Sequence, residues 1–254
     1  MRALALAAIA ALALPQAMAQ APIAADARLE ASIEAAFNAP DRLLQARLGD
    51  AERHIATLLR MSAAKPGMRA LDVGSGSGTL ALLLSSMVGE TGHVDIHNTP
   101  GWLVQFPSME PDAMKARIKR NNIGYIVERW SDLGSAPGPY DVIVMGQVYH
   151  DTWLEGADAG EMDRQLFALL KPGGRLVIED HDALPEMPLA QQVYLHRIAE
   201  SQMTKEVLAA GFELAERFPI ESKHDDRRFN VFKPGVRGRT DRYIVSFVKP
   251  AATP

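Results

Sequence analysis

Asp72, Gly74, Gly76 and Gly78 carry the clearest chemistry in this chain, in the run LDVGSGSGTL at residues 71–80. A short apolar run, Ala70, Leu71 and Val73, holds the acid Asp72. It then turns through the glycines into an apolar stretch from Leu80 to Met87. That order reads as strand, glycine turn and helix start. Glycine admits positive φ and lets a ligand approach the backbone, and a helix start presents N–H groups without helical partners. A nucleotide-like cofactor is expected across this turn. The acid comes before the glycines, so the pattern is not the G-x-G-x-x-G of dinucleotide binders.

A second set of reactive side chains lies further on. Gln147, Tyr149, His150 and Asp151 follow one apolar run, and Glu179, Asp180, His181 and Asp182 follow the next. A histidine oriented by a carboxylate can take a proton from a hydroxyl or amine. His150, with Asp151, is the expected catalytic base and His181 the second choice, with Tyr149 and Asp182 expected at the substrate. Two alternatives stand beside this one. His150, Asp151, His181 and Asp182 could hold a divalent metal, although the favoured reading requires none, or Asp151 and Asp182 could cap helices. His196, between Leu195 and Ile198, reads as a packed histidine on a helix. Residues 221–240 interleave Phe229 and Phe232 with Lys223, Arg227, Arg228, Lys233, Arg237 and Arg239. Arg237 or Arg239 would suit an anionic group on a substrate. The opposing reading is a solvated hairpin with internal pairs such as Asp226 with Arg228.

The elements that position these residues follow from hydrophobic period and turn signals. Helices are expected at 25–37 and 41–61; in the second, Leu43, Leu44, Arg47, Leu48, Ala51 and Ile55 recur at helical spacing, and Asp41, Arg42, Arg47, Asp50 and Arg53 lie on a solvated face, with a lid over the ligand as the alternative. Strands are expected at 69–73, 93–97, 124–129, 141–145, 175–178, 212–220 and 241–248. Helices are expected between them at 78–88, 109–121, 159–170 and 189–210. Strands alternating with helices give a parallel sheet covered on both faces, and the helix-free return at the end adds one antiparallel strand.

The totals set limits. A chain of 254 residues holds one domain with a full core. A net charge of -4 does not favour a nucleic-acid partner. With no cysteine there is no disulfide, lipobox or thiolate metal site. Residues 1–19 read as a signal peptide, with Arg2, an apolar run from Ala3 to Leu14, and Ala17-Met18-Ala19 before a cut at Gln20. A periplasmic or secreted protein without stable membrane insertion is expected. Residues 20–62 would form N-terminal helices and residues 63–254 the main domain.

The D-x-G-x-G-x-G run at Asp72 resembles the first motif of the class I S-adenosylmethionine (SAM) dependent methyltransferases. The segment Leu169 to Ile178, with Lys171-Pro172-Gly173-Gly174, resembles their entry into strand 5. Tyr149-His150-Asp151, Asp180-His181-Asp182, Leu195-His196-Arg197 and Val231 to Lys249 resemble a group of predicted bacterial methyltransferases with signal peptides. The resemblance implies a Rossmann-like α/β fold with strand order 3-2-1-4-5-7-6 and SAM above strands 1, 2 and 3. It implies a cofactor site of Asp72, Gly74, Ser75, Gly76, Gly78, Asn98, Trp130, Asp132 and Gln147. Asn98 falls at the ribose position, with Asp95 the alternative. Trp130, Asp132 and Glu128 compete for the adenine. The implied function is methyl transfer to a small-molecule acceptor. The alternatives are an exported protein of this fold that binds another ligand or a metal without methylating, and an interaction module that uses the basic 221–240 segment.

Overall fold

The computed structural model describes residues 26–42, 44–51 and 53–251, so the expected signal peptide and Leu43 lie outside the described residues. Seven strands form one sheet: β1 (Arg69–Val73), β2 (His93–Asn98), β3 (Ile123–Val127), β4 (Tyr140–Gly146), β5 (Leu170–His181), β6 (Glu213–Ile220) and β7 (Arg242–Val248). Their order is β3-β2-β1-β4-β5-β7-β6, the order that the sequence implied. All pairs are parallel except those of β7, which runs antiparallel to both β5 and β6.

Alternate residues of the central strands feed opposite faces, as the period of two requires. Ala70, Val94, Val142, Val144 and Val177 join one core with Leu83 and Leu84 of α4 (Thr79–Val88). Ile33 of α1 (Ala27–Phe37) and Ile55, Leu58 and Leu59 of α3 (Ile55–Ser62) share it. Leu71, Val73, Ile143, Met145, Leu176 and Ile178 face the other way. They pack on Met162 and Leu166 of α8 (Ala159–Leu169) and on Met203 and Val207 of α10 (Glu200–Ala209). Both faces are therefore apolar, as a covered parallel sheet demands.

Several expected helices are broken. The stretch 41–61 divides into α2 (Leu44–Gly49) and α3, because His54 adopts the left-handed conformation with φ 51°. Its charges are not a solvated face. Arg42 is buried and pairs with Asp50 at 2.8 Å, Asp41 pairs with Arg120, and Arg53 reaches Glu179. Leu44 and Leu48, expected on an apolar stripe, are exposed. The stretch 189–210 splits into α9 (Leu189–Tyr194) and α10 at His196, which is left-handed with φ 54°. Residues 99–117 form two short helices, α5 (Pro100–Gln105) and α6 (Pro111–Arg117), each started by a proline at its first position. A further short helix, α7 (Tyr149–Leu154), carries His150 and Asp151.

Candidate functional site

The glycine turn opens at the carboxyl end of β1, where pairing with β2 sets Val73 beside His97. Gly74, Gly76 and Gly78 have φ of 63°, 58° and 82°, conformations that side chains resist. Asp72 is buried beneath the turn. Its Oδ2 accepts from the Ser75 hydroxyl at 2.5 Å and from the Ala81 N–H of α4 at 2.9 Å. Its Oδ1 is buried with no hydrogen-bond partner. Burial lifts the Asp72 carboxyl to about 6, against the hydrogen bonds from Ser75 and Ala81.

Asn98 and His97 act on the turn itself. The Asn98 carboxamide accepts from the Gly76 N–H at 2.8 Å and donates to the Gly76 carbonyl at 3.1 Å. His97 takes the Gly74 N–H at 3.3 Å on Nδ1 and lies 2.9 Å from the Glu128 carbonyl on Nε2. Burial lowers His97 to about 4, so its ring is neutral and can accept at one nitrogen and donate at the other. Both residues therefore brace the glycine loop, and Asn98 spends on Gly76 the groups expected to meet a ribose. Trp130 is a core residue at 1% exposure, packed edge-on to His97 and Trp102. It lies over Gly74 with Val148, where a side chain at Gly74 would meet both at 3.0 Å, and its edge borders a cavity of about 470 Å³ with Pro100, Arg129 and Glu155. Asp132 is exposed, and Asp95 belongs to a separate group with Arg69, His93 and Tyr140.

The second centre lies where β4 and β5 end side by side, with Gly146 opposite Glu179. Gln147 follows with φ 62°, donating its N–H to the Glu179 carbonyl and its amide to Glu179 Oε1 at 3.1 Å. Glu179 is fully buried and also receives Arg53 at 3.1 Å and Arg242 at 2.9 Å. A cavity of about 260 Å³ opens over these groups, lined by Arg53, Gln147, His181, Phe232, Arg237 and Arg242 among others. His181 lies 2.8 Å from the Thr240 hydroxyl through Nδ1. Burial and nearby positive charges drive His181 down to about 3 despite Asp180, so it is neutral.

His150 is not among the residues that line this cavity; it stands behind His181, with ring centroids 6.2 Å apart. Asp180 holds it twice, through Nδ1 at 2.8 Å and through the backbone N–H at 3.0 Å. Burial opposes a charge on His150, but Asp180 and Asp151 outweigh it and raise its pKa. Asp180 is the orienting acid; the sequence placed it beside His181 but gave no sign that it crosses to His150. His196, expected to pack within a helix, instead lies 5.3 Å from His150, ring to ring, and 3.8 Å from Asp151.

Three expected substrate contacts lie elsewhere. Tyr149 is buried and directs its hydroxyl to Asp163 and Glu206, at 2.8 and 2.9 Å. Asp182 binds Arg227 and accepts from the Glu200 N–H at the start of α10; the N-cap position of that helix is Ala199, so Asp182 is not the N-cap that its sequence position suggested as an alternative. Arg239 is exposed on the 221–240 segment and is not among the residues around the cavity, whereas Arg237 is. The segment is no free hairpin. Arg197, fully buried, forks onto Asp225 at 2.7 and 2.8 Å and donates to the Phe229 carbonyl, strapping residues 221–240 across the strand ends. The Asp226–Arg228 pair is present on its surface.

Comparison with known proteins agrees with the fold. A methyltransferase domain family matches residues 45–216, more than half of the chain, and the chain belongs to that family. A protein-L-isoaspartate O-methyltransferase of Triticum aestivum is 38% identical over 120 residues, covering 45% of this chain and 46% of the relative. A ubiquinone/menaquinone biosynthesis C-methyltransferase of Vibrio vulnificus is 31% identical over 120 residues, covering 46% of this chain and 42% of the relative. The chain thus spans less than half the length of these curated relatives. Among solved structures, a SAM dependent methyltransferase from Aquifex aeolicus superposes with TM-score 0.55 at 18% identity, over 86% of this chain and 97% of its own. The [4+2]-cyclase SpnF superposes with TM-score 0.57 at 19% identity, over 80% of this chain and 82% of its own. The fold is therefore shared across differing reactions, and the chemistry must be argued from the site.

The residues at the glycine turn fit the methionine end of SAM. The orphaned Oδ1 of Asp72 is a buried acceptor that an ammonium would satisfy. A Cβ at Gly76 would meet only the Met109 methyl, at 3.9 Å, so the turn can be approached closely there, and the N-terminus of α4 favours a carboxylate.

Proposed function

We propose that this protein transfers a methyl group from SAM to a small-molecule acceptor held in the cavity beneath residues 231–240. The observation that carries the reading is the position of that cavity. It opens at the carboxyl ends of β4 and β5, and Val148, the neighbour of its lining residue Gln147, packs directly on Gly74 of the cofactor turn. Ligands of open α/β sheets collect at such strand ends. SAM, when bound, supplies the electrophilic methyl group. Asp72 and the glycine backbone hold its amino-acid end, and the chain's remaining work is to orient the acceptor and remove its proton.

The cavity lining favours an acceptor with an anionic group. Arg53, Arg237 and Arg242 line it, and buried Glu179 meets Arg53 and Arg242. His181, neutral and fixed by Thr240, hydrogen-bonds the acceptor. The cluster of His150, Asp151 and Asp180 behind it is the place where the acceptor's proton leaves. Export is part of the same proposal and rests on the sequence of residues 1–19, which would put the mature enzyme in the periplasm or outside the cell.

The deciding experiment is calorimetric titration of SAM into the full chain and into Asp72→Asn. The wild type should bind, and the variant should bind roughly 10- to 100-fold more weakly, the worth of one hydrogen bond between charged groups. No heat with the wild type would end the methyl-transfer reading and leave the fold to another ligand.

A further inference from the structure

We infer that His150, Asp151 and His196 form a binding site for a single divalent transition-metal ion of the zinc type. The three donor atoms lie within 4.8 Å of one another. His150 Nε2 is 3.4 Å from Asp151 Oδ1, and His196 Nδ1 is 3.8 Å from the same oxygen. These separations are long for hydrogen bonds. A tetrahedral ion with bonds of about 2.0–2.1 Å sets its ligand atoms about 3.3 Å apart, close to the 3.4 and 3.8 Å from Asp151 to the two imidazoles.

The surroundings of His150 are those of a ligand rather than a loose surface side chain. Its Nδ1 is held at 2.8 Å by Asp180, which is fully buried, so Nε2 is aimed at Asp151. A carboxylate on the far nitrogen of a histidine is the usual way of fixing its tautomer for a metal. His196 arrives from a different element, and it does so only because the backbone turns left-handed there and ends α9. Phe232, which lines the cavity, packs on the His196 ring at 4.9 Å between centroids. Two imidazoles and one carboxylate leave a coordination position unfilled, the arrangement of a site that works on a substrate. The site's existence is read from the donors alone and does not depend on methyl transfer.

The test is titration of Co²⁺ and Zn²⁺ into the metal-stripped full chain without SAM. The visible bands of tetrahedral Co²⁺ and calorimetry report the outcome, with His196→Gln, Asp151→Asn and His224→Ala alongside. The expected result is one ion per chain, tetrahedral bands, and at least tenfold weaker binding in His196→Gln and Asp151→Asn with His224→Ala unchanged. Thermal melting shows whether each variant is folded, and near-isosteric Asp151→Asn decides the matter if His196→Gln is not. Failure of the wild type to bind, or binding that both site variants leave undiminished, overturns the inference. SAM binding that persists alongside such a failure leaves the methyl-transfer reading intact.

Discussion

Asn98 shows how one side chain can be assigned to the right place and the wrong partner. Its position at the end of β2 follows from counting along the strand, and it was expected to accept from a ribose. In the structure both ends of its carboxamide are committed to the Gly76 peptide. Asn98→Asp separates the two roles. The carboxylate would strengthen a ribose contact, but it removes the donor to the Gly76 carbonyl and sets two acceptors face to face. The expected outcome is a loss of about 1–3 kcal/mol in urea unfolding, the cost of an unsatisfied buried group, with no gain in SAM affinity. Tighter SAM binding in this variant would return Asn98 to the ribose. The same contrast holds at Asp72, Gln147 and His181, which sequence placed at strand ends and whose partners only the folded chain reveals. Glycines, acids and histidines mark a site because few residue types serve there. Which atom faces which neighbour depends on contacts across more than a hundred residues, such as Arg53 with Glu179.

Elements pack through polar stitches as well as apolar faces. Tyr149 of α7, Asp163 of α8 and Glu206 of α10 meet at one hydroxyl. A phenol has one proton to donate, and it faces two carboxylates. Burial raises Asp163 to about 8, with Glu206 adding to it against the hydrogen bond from Tyr149. Its folded pKa lies above the ordinary value near 3.9, so the folded state binds more protons than the unfolded one between about pH 4 and pH 8. Stability should therefore be full at the acidic side of that window and fall as pH rises through it. Asp163→Asn should flatten this slope, read as urea midpoints at pH 5 and pH 8.5. An unchanged slope would show that the carboxyl is already ionised. None of this is visible in sequence, where Tyr149 sits beside His150 and reads as a site residue. Helix breaks escaped for a related reason. His54 and His196 adopt left-handed backbone without glycine, so no local signal marks them. The strands were legible because apolar runs between Gly and Pro turns are local, and the long apolar stretch of α4 was legible for the same reason.

At the scale of the molecule, the sheet order and the family motif agree, and the N-terminal helices share a core with the sheet. Among the described residues no helix is long and apolar enough to cross a membrane. The proposed export predicts a mature chain beginning at Gln20, to be read from the intact mass of protein recovered from the periplasm or medium. A mass that includes Met1 to Ala19 would refute cleavage. The place of β7 bears on how such a chain is made. It follows every other strand in the sequence, yet it lies between β5 and β6 and is joined to β6 by the long strap. While residues 242–248 are still unmade, β5 has no neighbour on that side and β6 has none at all. Most domains condense as they are synthesised, but here the order of strands withholds the closing piece. The cavity at the strand ends, which Arg242 of β7 helps to line, is therefore complete only once the last strand has been made and has slotted between two strands that precede it.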